Sequence, residues 1–153
     1  MAAIHPVKQQ LHQSCTANVD QRIATLQDIL AGINAARESE TKSSVGDKYE
    51  TGRAMLHRQE EQAHRQLLQA LEDKQILDRL DPAATDDRVQ QGSLVTTDRG
   101  SYYLAVGIGK VTVNGKVYFC ISAQSPIGRE LLNRGVGEEI AFNGIRQRIL
   151  VVQ

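Results

Sequence analysis

Asp47 and Glu50 are the residues of this chain whose type and spacing best fit chemistry. They lie three apart in SSVGDKYETGRAM, Ser43 to Met55, where a polar turn gives way to a helical pattern. Side chains at i and i+3 are neighbours on a helix surface, so the two carboxylates share one side of a helix that begins there. Carboxylate oxygens suit a hard cation, and Mg²⁺ takes a few of them together with substrate phosphates and retained waters. Two are too few for a self-contained site, so the remaining ligands have to belong to a partner. The competing role is structural: acids in a first turn complement the unsatisfied backbone donors of a helix N-terminus.

Other groups that could react find no companions. His5, His12, His57 and His64 all fall in the first 64 residues. His57 and His64 are seven apart on one helix, but nothing completes a four-ligand set, so they read as solvated helix side chains. Ser44, Ser101 and Ser122 lie in no G-x-S-x-G setting. GIGK, Gly107 to Lys110, lacks the rest of a phosphate-binding loop and reads as a hairpin turn. Cys15 and Cys120 are the only cysteines, which gives neither a disulfide framework nor a zinc spacing.

The elements that must position the acid pair follow from the apolar pattern. Val19, Ile23, Leu26, Leu30 and Ile33 recur at four and three, the stripe of a helix packing along one partner. Its start is expected near Asn18 and its end near Ala36, because Arg37 falls where the next apolar residue should be. A second helix is expected to begin between Asp47 and Thr51. Leu56, Ala63, Leu67, Ala70 and Leu77 share its phase, Glu60 and Lys74 interrupt it, and Leu68, Leu71 and Ile76 widen the face. About 28 residues at 1.5 Å each make it roughly 40 Å long. Each helix needs a partner for its stripe, and the other one is nearest. The expectation is an antiparallel hairpin with residues 38–52 at its tip.

Asp81-Pro82 stops the second helix, and a polar run, AATDDRVQQG, leads to a different texture. Ser93 to Thr97 and Tyr102 to Val106 read as strands. Asn114-Gly115 predicts a hairpin joining KVTV to KVYFCIS. Ser125 and Pro126 predict the N-cap and first position of a short helix with Ile127, Leu131 and Leu132 on its face. Two more strands, Glu139 to Phe142 and Arg148 to Val152, flank Asn143-Gly144. The fold class is α+β: a hairpin over 1–82, a linker over 83–90 and a small antiparallel-sheet domain over 91–153, separable near Pro82 to Gln91.

Composition narrows the function classes. Eighteen basic and eighteen acidic side chains cancel, and 41% apolar content permits a core without tryptophan. Global charge therefore does not announce a nucleic-acid binder. No apolar run approaches the ~20 residues that span a bilayer, so a soluble cytoplasmic protein is expected.

SPIGRELLNRGVGEEIAF, Ser125 to Phe142, resembles the C-terminal signature of the bacterial Gre transcript cleavage factors, GreA and GreB. That signature has Ser-Pro, an aliphatic residue, a small residue and Arg, then Leu-Leu and, further on, Val-Gly-Asp/Glu. Ser125, Pro126, Ile127, Arg129, Leu131, Leu132 and Gly137 match it. The family's tip motif, Gly-Asp, two variable residues and Glu, is matched by Gly46, Asp47 and Glu50. The resemblance implies an N-terminal coiled coil, a C-terminal domain like FK506-binding proteins, and a monomer that binds RNA polymerase with no membrane partner. It further implies that Asp47 and Glu50 enter the polymerase's secondary channel and help hold a catalytic Mg²⁺ that neither molecule need keep alone. Backtracked RNA is then cut by the polymerase's own hydrolysis, so the protein is a cofactor rather than an independent enzyme. After Glu50 the pattern departs: Thr51, Gly52, Arg53 and Ala54 replace the common Asn-Ala-Glu-Tyr. The alternative is a non-cleaving polymerase-binding regulator of the same fold, or an adaptor in which the acids are contacts or caps. Prolyl isomerase activity is a third reading, set against aromatic placements that suit ordinary core packing.

Overall fold

The computed structural model describes residues 6–42 and 46–153; the side chains of residues 40–50, those of Asp47 and Glu50 among them, lie outside the described set. By contacts the chain divides into two compact units, Val19–Lys74 and Met1–Asn18 with Gln75–Gln153.

Two helices, α1 (Pro6–Lys42) and α2 (Gly46–Arg79), supply the first of these units. Leu26, Ala63 and Ala70 are buried together there, with Ile23, Leu30 and Leu67 packed on them. Small alanines on α2 leave room for the leucines of α1. The charged residues that interrupt the stripes pair with one another. Lys74 Nζ lies 2.7 Å from Asp20 Oδ1, Arg22 Nη2 lies 3.2 Å from Asp73 Oδ2, and Arg37 binds Glu60. Partner numbers rise on α1 as they fall on α2, so the pair is antiparallel. Exposed pairs of this kind contribute at most about 1 kcal/mol each. Leu68 and Leu71 do not widen the packed face; they stand 60% and 42% exposed.

α1 is longer than the stripe from Val19 suggested. Leu11 and Cys15 continue the stripe backwards at four-residue steps, and both are fully buried with Val19. Cysteine packs as a small apolar residue, and Pro6 suits a first helical position because its missing N–H has no intrahelical partner there.

The second unit is built on a six-stranded sheet of order β3-β4-β2-β1-β6-β5. Its strands are β1 (Leu94–Thr97), β2 (Ser101–Ala105), β3 (Gly109–Val113), β4 (Lys116–Ser122), β5 (Glu139–Phe142) and β6 (Ile145–Val152). The predicted hairpin at Asn114-Gly115 forms, and Asn143-Gly144 makes a second one, with β6 beginning at Ile145 rather than at Arg148. Asn114 and Gly115 take φ of 53° and 79°, Asn143 and Gly144 take 52° and 76°, as a two-residue turn between twisted strands requires. The sheet is mixed, not antiparallel as expected. β4 returns from its hairpin to lie between β3 and β2, and it runs parallel to β2 from Tyr102↔Phe119 to Ala105↔Ser122. Turn signals specify which strands are sequence neighbours; they do not specify which strand of a hairpin docks on the sheet.

Val95, Leu104, Ile127, Leu131, Ile140 and Ile149 belong to the core cluster over one face. Gln147 is buried with its Oε1 accepting from Thr97 Oγ1 (2.8 Å) and Tyr102 OH (3.0 Å). Satisfying this amide offsets the cost of burying it.

Two segments outside the strands complete this unit, and the limits expected at 82 and 91 differ from the contact units accordingly. Val89, in the expected linker, is fully buried; its N–H donates to Arg134 O and its carbonyl accepts from Asn133 N–H, both at 2.8 Å. The start of α1 packs here too. Lys8 is 2% exposed and its ammonium donates to the carbonyls of Ala84 (2.5 Å) and Gln153 (3.1 Å). Periodicity shows that a helix has a buried face but not what meets it. Deleting residues 1–18 should therefore cost several kcal/mol, since losing a buried leucine such as Leu11 alone costs about 2–5 kcal/mol. A thermal melt followed by near-UV tyrosine dichroism would show it. A truncated protein that melts with the full chain would mean that this segment does not support the sheet.

Candidate functional site

Helix α2 starts at Gly46, so Asp47 and Glu50 are its second and fifth residues. Their backbone positions keep the i, i+3 relation that puts two residues on one side. The next residues along α2 are described. Arg53, Ala54 and His57 line an open cleft of about 520 Å³ with Arg37 of α1 and Glu60. Arg37 is bound to Glu60, and His57 Nε2 lies 3.3 Å from Glu61 Oε1. This stretch of the hairpin thus carries guanidinium groups close in sequence to the acid pair. A guanidinium fork matches phosphate oxygens, whereas carboxylates match a divalent cation. Sequence reasoning passed over Arg37 and Arg53, although the break in the stripe at Arg37 was a signal.

Among the described residues no group of three or more His, Cys, Asp or Glu side chains could hold a metal ion. The two carboxylates of the tip supply hard oxygen donors of the kind Mg²⁺ takes, and too few of them to close its shell. His57 and His64 are exposed, with Glu61 and Glu60 as neighbours. His12 is not a solvated helix histidine. Its Nδ1 sits 3.0 Å from Tyr103 OH, and burial pushes the imidazole below its usual range, partly offset by Asp78. GIGK is not the hairpin turn expected: Gly109 and Lys110 belong to β3, and β4 lies between β2 and β3 in the sheet.

The signature from Ser125 to Phe142 folds as α3 (Pro126–Leu131), a connection and β5. Most of its side chains hold the fold. Ser125 is the N-cap, its Oγ accepting from Gly128 N–H at 3.1 Å, and Pro126 follows in the first turn. Ile127 and Leu131 are buried in the core, and Leu132 packs against it. Gly137 has φ of 89° and donates its N–H to Ile149 O at 2.8 Å, tying the connection to β6. Arg129 is exposed and, of these positions, is the one with a charged group to offer a partner.

Gly128 lies where α3 approaches the end of β4. A Cβ on it would come within 2.1 Å of Ser122 O. The small residue of the signature is thus fixed by backbone contact.

The chain matches no protein-family model and no curated protein sequence. No helix among the described residues is long and apolar enough to cross a membrane.

Proposed function

We propose that this protein is a transcription elongation factor that inserts its helical hairpin into the secondary channel of bacterial RNA polymerase and stimulates cleavage of backtracked RNA. It acts as a cytoplasmic monomer. The observation that carries the reading is the position of Asp47 and Glu50 among the first five residues of α2, the second helix of an antiparallel pair. An acid pair there gains a use if a partner supplies the missing ligands. Arg37 and Arg53 along the same hairpin add groups suited to phosphate. The resemblance of residues 125–142 to the Gre signature supports the same partner, with the sheet unit read as a domain like that of FK506-binding proteins.

When bound, Mg²⁺ would activate a water and offset charge developing on the phosphate. Asp47 and Glu50 contribute two anionic oxygens to that environment; the polymerase and the RNA contribute the rest. The second reading, a non-cleaving regulator that occupies the same channel, is favoured by one feature. Gly52 is the seventh residue of α2, where glycine costs about 1 kcal/mol relative to alanine.

Binding is tested by site-directed crosslinking. Cys15 and Cys120 are both buried, so Lys48→Cys introduces a new handle next in sequence to Asp47. Crosslinks to polymerase are expected near its active centre. Crosslinks confined to the outer surface, with binding intact, would overturn the pose.

A further inference from the structure

Cys15 and Cys120 are 105 positions apart in sequence, yet the fold brings them together. His12 and Cys15 are three apart on α1 and therefore neighbours on one face. His12 meets Tyr103 of β2 at 3.0 Å, edge to face. Tyr103 is the register partner of Cys120 on parallel β4. The Cys15 thiol accordingly reaches Cys120, and a hydrogen bond joins the two sulfurs. Neither cysteine is in a disulfide, and they are 0% and 1% exposed.

We propose that Cys15 and Cys120 form a reversible disulfide that bolts the first turns of α1 to the sheet when the protein meets a peroxide. Hydrogen bonding from the Cys15 thiol holds the Cys120 sulfur below the ordinary thiol range in spite of its burial, which favours Cys120 as the attacking thiolate. Its sulfur takes one peroxide oxygen, breaking the O–O bond and releasing the other oxygen as water after protonation. The resulting sulfenic acid is attacked by Cys15, the S–O bond breaks, and a second water leaves as the S–S bond forms. In sum two thiols lose two electrons and two protons, and one peroxide becomes two waters. A dithiol reverses the step by thiol–disulfide exchange.

Burial sets the rate. Neither sulfur is open to solvent, so the reaction waits on a local opening that lifts the start of α1 from the sheet. Once formed, the bond encloses about a hundred residues, the range in which a cross-link most restricts the unfolded chain. This role draws on neither polymerase nor the tip acids, so it stands or fails apart from the proposed function.

The test uses the full chain, treated with hydrogen peroxide and analysed by intact mass and by peptide mapping without reductant. The expected product has lost two hydrogens, contains a peptide joining Cys15 to Cys120, and returns to the starting mass with dithiothreitol. Its melting temperature should rise by about 5–10 °C, and Cys120→Ala should abolish the rise. Sulfinic acid at either cysteine without a joined peptide, dimers linked between chains, no reaction on prolonged exposure, or an equal rise in Cys120→Ala would each overturn the proposal.

Discussion

Asp47→Asn and Glu50→Gln proteins are expected to bind stalled transcription complexes almost as wild type does, and to release little or no short 3′ RNA fragment. An amide keeps the shape of the carboxylate but gives up the charge a hard cation wants. Losing a group that acts only in the transition state lowers turnover rather than affinity. A fall of about 10²-fold or more in cleavage rate is expected, the scale of losing one electrostatic stabiliser of a transition state. Neither change should unfold the hairpin, because a charge near a helix N-terminus is worth only about 0.3–1 kcal/mol. The measurement is cleavage of 3′-labelled RNA in purified backtracked complexes across a Mg²⁺ series, with binding measured in parallel. Variants as active as wild type would reduce the pair to helix caps. A wild type that binds and releases nothing would select the non-cleaving regulator.

A large loss of stability is expected from the single substitution Gly128→Ala. The added methyl would need to sit 2.1 Å from Ser122 O, far inside van der Waals contact. That carbonyl cannot easily retreat, because it already accepts from Ser125 Oγ (2.6 Å) and Ser125 N–H (3.1 Å). Relief must come from moving α3, whose Ile127 and Leu131 are in the core. A cost of about 3 kcal/mol or more is expected, lowering the melting temperature by roughly 6–12 °C. Gly137→Ala is the control. It carries the positive φ but has open space around the Cβ position, so it should cost nearer 1 kcal/mol. Equal losses at the two positions would show that crowding against Ser122 is not the cause.

Features written in adjacent residues were legible from sequence. Asn114-Gly115 named its hairpin, and Asn143-Gly144 marked the break between two strands, because residues tolerant of positive φ make such turns. Ser125-Pro126 named a helix start because cap and proline act locally. The 4-3 spacing from Val19 named a helix pair. Features set by tertiary partners were not legible. Nothing near β4 announces that it slips between β3 and β2. Leu11 and Cys15 extend a stripe whose other partner, the sheet, is a hundred residues away. Gly128 was visible only as a small residue, since its constraint is the carbonyl of Ser122. The acid pair was visible as a pair, while its proposed co-ligands belong to another molecule.

The ion pairs of the hairpin have a geometric consequence beyond their small energies. Glu60 and Lys74 sit at stripe positions, and Arg37 and Asp20 meet them at two separate levels. Sliding one helix past the other by a heptad would move α2 about 10 Å along its partner. Apolar residues repeat and would find apolar residues again, but these charges would face leucine, alanine or each other's like. The two levels therefore work as index marks on a scale that the apolar stripe alone leaves free to slide. A seven-residue insertion on one helix between the two marks would misalign one of them. The same insertion made in both helices between the marks would keep both matched, so the packed segment from Asp20 to Arg37 and from Glu60 to Lys74 can lengthen only in paired heptad steps.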